Sequence, residues 1–211
     1  HFFDSNLSIY SDKISKFIVR IYEKDNQLIF QRLAKIYGCI FIDEIQDLAG
    51  YDLDIVKNIY LSIQNVIAVG DPRQTTYSTH HSQKYGKYSK GKIKNYFLEH
   101  LNGICEIDEV TLCKSHRNEP IICHISSQLF PDFTPSESCV CCNDSHIEHL
   151  GIFYVPESKK LSYLEQYKPI QLRWDSRNKK VDSQYPSMNI GSSKGLTLDR
   201  VILYPTSQMI E

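Results

Sequence analysis

The sequence predicts an α/β fold built on parallel strands, and three observations carry that prediction. Two short runs, Cys39-Ile40-Phe41-Ile42 and Val66-Ile67-Ala68-Val69, are apolar at every position. Strands of a parallel sheet covered on both faces require that pattern. Each run ends in acid, at Asp43-Glu44 and at Gly70-Asp71-Pro72. Between them, residues 52–64 carry Leu53, Val56, Ile59, Tyr60 and Ile63 at helical spacing, so the segment reads strand–helix–strand.

The other elements continue the alternation. Leu28, Ile29, Leu33 and Ile36 predict a helix over 27–37, closed by Gly38. The stretch 78–95 is polar, turn-rich and basic. A helix is expected near 93–101, a strand near 107–113, and a helix from Asn118 to about Phe130. A Pro/Ser/Cys-rich loop follows over 131–146. Strands are expected over 151–155, 169–174 and 200–204, with a helix over 158–167. Trp174, the sole tryptophan, reads as a core or rim aromatic on a strand, and Cys123 and His124 as packing within a helix. The pattern divides near residue 103, into 1–102 and 103–211.

Composition bounds the function. At 211 residues, 41% apolar and 23% charged, the chain has the makeup of a globular protein with room for one large domain or two small ones. Its 24 basic and 25 acidic side chains, net −1, exclude a polyelectrolyte partner-binder but permit a local basic face. No run approaches the roughly 18 apolar residues of a membrane span, and no charged-then-apolar leader opens the chain. Seven cysteines, an odd count mostly scattered along the chain, fit a reducing cytoplasmic compartment better than a disulfide framework. The chain opens on His1 without an initiator Met and is expected to be part of something longer.

Chemistry concentrates at the acidic strand ends, where open α/β sheets collect ligands. Asp43 and Glu44 offer one carboxylate to hold Mg²⁺ and another to orient or deprotonate a water, a division of labour that suits phosphoryl transfer. In Gly70-Asp71-Pro72-Arg73-Gln74-Thr75-Thr76-Tyr77, Gly70 is expected to permit a sharp turn, and the Gln74 amide can bond both a phosphate oxygen and a water.

Together the Asp43–Asp47 and Gly70–Tyr77 segments resemble the Walker B box and motif III of superfamily 1 DNA helicases of the UvrD/Rep/PcrA type. Two further matches fall in the family's order. Leu112-Cys113-Lys114-Ser115-His116-Arg117-Asn118 resembles motif IV, and Ser192-Ser193-Lys194-Gly195-Leu196-Thr197-Leu198-Asp199-Arg200-Val201 resembles motif V. The resemblance implies a P-loop NTPase (RecA-like) helicase fold, with incomplete parallel-sheet portions of two RecA-like domains. It implies ATP and Mg²⁺ as cofactors and single-stranded DNA or DNA ends as partner. Asp43 would coordinate Mg²⁺, Glu44 would be the base, and Gln74 would sense the γ-phosphate. Arg117 would act as an arginine finger, and Lys194-Gly195 would form a nucleotide-facing loop.

Departures from the pattern narrow the resemblance. His116 stands where the family has an aromatic, Ser115 where it has Asn, Thr197 where it has Glu, and Gly191 where it has His. These segments are similar to the UvrD-like subunit of Gabija-type anti-phage systems, which implies a partner nuclease. They also support a rival reading, a regulatory subunit that senses nucleotide or DNA. Neither Gly86-Lys87 nor Gly91-Lys92 completes a Walker A loop, and the family's motif VI is missing, so the chain alone is expected not to hydrolyse ATP. The interval from Arg117 to Lys194 leaves no room for the large inserted subdomain of the family.

Two other clusters stand out. Tyr77, Lys84, Tyr85, Lys87 and Lys90, extended by Tyr88, Lys92, Lys94, Tyr96 and Phe97, have the composition of a single-strand track, lysines for phosphates and aromatic faces for bases. Cys139, Cys141 and Cys142, followed by His146 and His149, invite zinc, but C-x-C-C is not a usual knuckle spacing. A thiol-bearing surface loop is the preferred reading there.

Overall fold

A computed structural model describes residues 2–25, 28–75, 84–142, 149–178 and 180–210, with the Cys142 side chain left aside. The chain forms two compact units, His1–Asp108 and Glu109–Glu211. The division falls beyond residue 102 because Leu101 is fully buried in the core of the first unit and Cys105 packs against that core.

The first unit contains helices α1 (Ile14–Lys24), α2 (Leu28–Ile36), α3 (Tyr51–Ser62) and α4 (Ile93–His100), with strands β1 (Cys39–Ile42) and β2 (Asn65–Ala68). The two apolar runs pair in parallel, with Cys39 opposite Asn65 and Ile42 opposite Ala68. Coverage on both faces, expected from their composition, does not occur among the described residues. Ile40, Ile42, Val66 and Ala68 turn inward, whereas Phe41 is 75% exposed and Ile67 48%. The sheet has two strands, and Ile42 and Ala68 pack toward the buried cluster on the inward side alone.

That cluster joins Ile45, Leu53, Val56, Tyr88, Ile93, Tyr96, Phe97 and Leu101. α3 presents Leu53 and Val56 one turn apart to it. Asp52 and Asp54 in the first turn of α3 suit the positive end of the helix dipole. They also work as tethers. Asp52 accepts from the Ser15 hydroxyl of α1, and Asp54 accepts from Lys84 and Tyr85.

The second unit holds β3 (Lys114–Ser115), α5 (Pro120–Leu129), β4 (Glu137–Ser138), α6 (Lys160–Tyr167), β5 (Ile170–Arg173), β6 (Ser187–Asn189) and β7 (Val201–Leu203). β3 and β4 pair in parallel across α5, and β5 lies between β6 and β7, parallel to both. α5 starts with Pro120 at its first position, where a missing N–H costs nothing. α6 ends where Lys168 turns left-handed and Pro169 blocks continuation.

Two expected strands do not form. Over 107–113 the chain turns, with Val110 and Leu112 exposed, and regular pairing is limited to Lys114–Ser115. Over 151–155 no strand forms, and Tyr154 is 90% exposed. Local β propensity alone does not make a strand, and both segments are irregular chain. Trp174 follows the end of β5 and lies at the exposed rim. Cys123 is buried in α5, whereas His124 is exposed.

Gln171 is the polar centre of the second unit. It is fully buried, and its amide donates to the carbonyls of Asp182 and Tyr185. Its oxygen accepts from the Asp182 N–H and from the Tyr204 hydroxyl, each at 2.9 Å. Gln171→Leu removes all of these bonds while keeping similar volume, so it should cost roughly 3 kcal/mol from the buried groups left unpaired. Urea denaturation with an unchanged slope checks this.

Candidate functional site

Parallel pairing of β1 and β2 places both acidic loops at one sheet edge. The backbone continues this pairing one step past the strands, since Val69 N–H donates to Ile42 O at 2.8 Å and Ile45 N–H to Val69 O at 3.0 Å. Asp43 is exposed and Glu44 half-buried. Asp43 Oδ1 accepts from the Glu44 N–H at 2.8 Å, and Glu44 adopts a left-handed backbone with φ 53°.

Gln46 connects the two loops. This residue lies in the short 3₁₀ turn Ile45–Asp47 and is buried. Its Nε2 donates to Glu44 Oε2, and its Oε1 accepts from the Asp71 N–H at 3.1 Å. Gly70 makes this possible by its size. Its φ lies outside the left-handed region, which corrects the expectation of a turn that needs glycine's freedom. A Cβ there would sit 2.2 Å from Gln46 Oε1 and 2.8 Å from Ile45 Cγ2. Neither Gln46 nor the space at Gly70 stands out in the sequence, though Gln46 is within the acidic motif.

The second loop is organised around Asp71, which caps the turn Pro72–Gln74 by accepting from Arg73 N–H. Arg73 Nε and Nη2 reach its two oxygens at 2.8 and 3.1 Å, and Gln74 Nε2 donates to Oδ2 at 3.1 Å. Gln74 is therefore held within its own loop, beside the Gln46 link. Burial pushes the Asp71 carboxyl up, but bonds from the Arg73 side chain, Gln74 and the Arg73 backbone, with the Arg73 charge, outweigh it. The net effect is below its ordinary value of 3.8. A depressed folded value means that Asp71 stabilises the fold above the unfolded value, and that this contribution is lost as pH falls through the folded one. Asp71→Asn should therefore flatten the acid end of the stability curve, measured as denaturation midpoint against pH.

The basic segment differs from an open track. Tyr88, Tyr96 and Phe97 are buried, so these rings serve the core and offer no face to a base. Tyr96 donates to Leu53 O at 2.7 Å. Lys84 Nζ lies 2.5 Å from Asp54 and 4.6 Å above the Tyr51 ring. Burial and the bond to Asp54 push the Tyr85 phenol up to about 12. Lys87 pairs with Glu99 at 2.5 Å on the surface, and Tyr88 shares that carboxylate. Lys90 is exposed with φ 58°. Tyr77 lies outside the described residues, as does His146.

In the second unit, Arg117 is exposed just past β3. The Ser115 hydroxyl accepts from the N–H groups of Arg117 and Asn118, at 3.3 and 3.1 Å, and so shapes the turn that presents the guanidinium. Among the described residues Arg117 makes no ion pair. Lys194 and Gly195 follow β6 through the 3₁₀ turn Ile190–Ser193, and Gly195 has φ 79°. Its left-handed backbone favours glycine for conformational reasons.

Residues 5–85 match the model of the UvrD/REP helicase N-terminal domain family. That range includes β1, β2, Asp43, Glu44 and Gln74, and the match supports a UvrD-like superfamily 1 helicase. No curated protein matches the chain. Among the described residues no helix is long and apolar enough to cross a membrane.

Proposed function

We propose that this chain is the central part of an ATP-dependent, UvrD-like DNA helicase or translocase, which couples ATP hydrolysis to movement of single-stranded DNA. The observation that supports it most is the Gln46 link between Glu44 and the Asp71–Thr75 loop, inside the matched residues. Side-by-side acidic and amide-bearing loops at a strand-end edge suit a triphosphate and its metal.

The donor set fits the Mg²⁺ that accompanies ATP. Asp43 presents exposed, hard carboxylate oxygens beside the half-buried Glu44. When bound, Mg²⁺ neutralises phosphate charge. Asp43 holds the ion in this reading, while Glu44 orients the attacking water and takes its proton. Gln74 senses the γ-phosphate, Arg117 stabilises charge on the transferring oxygens, and Lys194-Gly195 contact the nucleotide. Lys90 offers a surface ammonium group to DNA phosphates and Lys87 does so on leaving Glu99, Tyr77 adds a stacking face, and Lys84 and Tyr85 hold this segment to α3 through Asp54.

The finer reading is a UvrD-like subunit of an anti-phage complex with a partner nuclease, working in the cytoplasm. It is supported by His116, Thr197 and Gly191 in place of the usual family residues. One observation favours a sensing role over unwinding: Lys84 and Lys87 are already engaged by Asp54 and Glu99, which leaves fewer cations for a moving strand. The test is DNA-stimulated ATP turnover with strand displacement, on protein carrying this chain together with a Walker A loop. Turnover with displacement is the expected result. Binding of nucleotide and DNA without displacement would replace the motor with the regulatory reading.

A further inference from the structure

Pairing of β3 with β4 brings together residues that are distant in sequence. Lys114 lies opposite Glu137 and Ser115 opposite Ser138, and the Cys139 N–H donates to Ser115 O at 2.9 Å. His116 and Cys139 therefore leave the two strand ends side by side. Cys139 is buried, and the chain then enters the 3₁₀ turn Val140–Cys142. Val140 is 89% exposed, directed to solvent, while the Cys141 sulfur comes back toward its neighbour. Cys139 Sγ and Cys141 Sγ lie 3.1 Å apart, and Cys141 Sγ lies 3.8 Å from His116 Nδ1. All three donor atoms fall within 4.8 Å of one another.

We propose that His116, Cys139 and Cys141 form a zinc site. Tetrahedral Zn²⁺, with Zn–S about 2.3 Å and Zn–N about 2.0 Å, sets neighbouring donor atoms roughly 3.5–3.8 Å apart. The Cys141 sulfur and the His116 nitrogen already meet this, Cys139 Sγ lies within 4.8 Å of the ring donor, and the two sulfurs reach it by separating through roughly 0.7 Å of side-chain rotation. Two thiolates and one imidazole are the soft and borderline donors that zinc prefers over Mg²⁺ or Ca²⁺. Each thiol loses its proton to solvent as its sulfur takes the metal, and His116 binds as the neutral ring. The fourth position belongs to water or to another donor.

Two features argue for a built site. Cys139 is held on both sides, by its backbone bond to β3 and by burial of its side chain. His116 comes from a different strand end, so the three donors are organised by the fold and not by loop composition. The C-x-C spacing looked unpromising for zinc because the ligand that completes the trio lies far upstream. The site stands on these three residues whatever reaction the chain serves.

The test uses the whole chain, purified under reducing conditions from zinc-supplemented medium, with metal content measured by mass spectrometry. About one zinc per chain is expected, and cobalt(II) in its place should give a thiolate-to-metal charge-transfer band. Cys141→Ser and His116→Ala, both at exposed positions, should each weaken binding by more than the roughly 10- to 100-fold that outer-shell partners carry. Cys39→Ser and His124→Ala should retain it, and circular dichroism confirms that each variant is folded. Zinc-free protein without a cobalt charge-transfer band overturns the site. So does a mass lower by two hydrogens in zinc-free protein, marking a Cys139–Cys141 disulfide, or full metal retention in a Cys139→Ser, Cys141→Ser double variant.

Discussion

Glu44→Gln should lower DNA-stimulated ATP turnover of the protein carrying this chain by roughly 100- to 10,000-fold, the usual contribution of a positioned general base. Nucleotide affinity should persist. Glutamine has nearly the same shape, and its side-chain oxygen can still accept the bond that Gln46 donates to Glu44. The loop connection and the fold are therefore preserved while the proton acceptor is lost. Phosphate release with and without single-stranded DNA reads the first effect, and binding of a fluorescent ATP analogue reads the second. Turnover equal to that of the native protein would remove Glu44 from the role of base.

Gly70→Ala should have the largest effect on the architecture of the same edge. The added Cβ falls 2.2 Å from Gln46 Oε1, 2.8 Å from Ile45 Cγ2 and 3.1 Å from the Ile45 nitrogen. The amide tip can swing away, but it then abandons the Asp71 N–H and the Glu44 carboxylate, and the Ile45 contacts remain. Overpacking of about 1–3 kcal/mol and a half-buried N–H left without its acceptor, of similar size, together give a loss near 3 kcal/mol. A double-mutant cycle separates this from general strain. If Gln46 is the main obstacle, Gly70→Ala should cost much less in a Gln46→Ala background, with coupling of about 1–2 kcal/mol. Strict additivity would show that Ile45 alone is responsible.

Parts of this architecture were legible in the sequence because their signals are local. β1, β2, α2, α3, α4, α5, α6, β5 and β7 all follow apolar runs or helical spacing, and the acidic residues fall at strand ends as expected. α1 was not expected, although Ile14, Phe17, Ile18 and Ile21 recur at helical spacing, and the other signals that failed depend on partners. Val110 and Leu112 have strand-forming character but lie in a turn with exposed side chains, and Ser187–Asn189 pairs with β5 although Ser-Met-Asn carries no apolar run. The tyrosines at 88 and 96 read as display because lysines surround them, whereas both are buried in one cluster with Leu53 and Leu101. The sequence also did not reveal that Asp54 and Glu99 return to the lysines. At the site, the types and positions of Asp43, Glu44 and Gln74 were legible. The role of Gln46 was not, since it depends on a Cβ that Gly70 lacks.

The backbone at Glu44 has a bearing on how this position could have been filled. A left-handed φ of 53° penalises any residue with a Cβ by about 1–2 kcal/mol relative to glycine. Both Glu44→Gly and Glu44→Ala delete the carboxylate, but only the glycine variant escapes the penalty, so it should be the more stable of the two by about that amount, read from chemical denaturation. The carboxylate at this place stands on a backbone that favours glycine, and its bond from Gln46 offsets part of that cost.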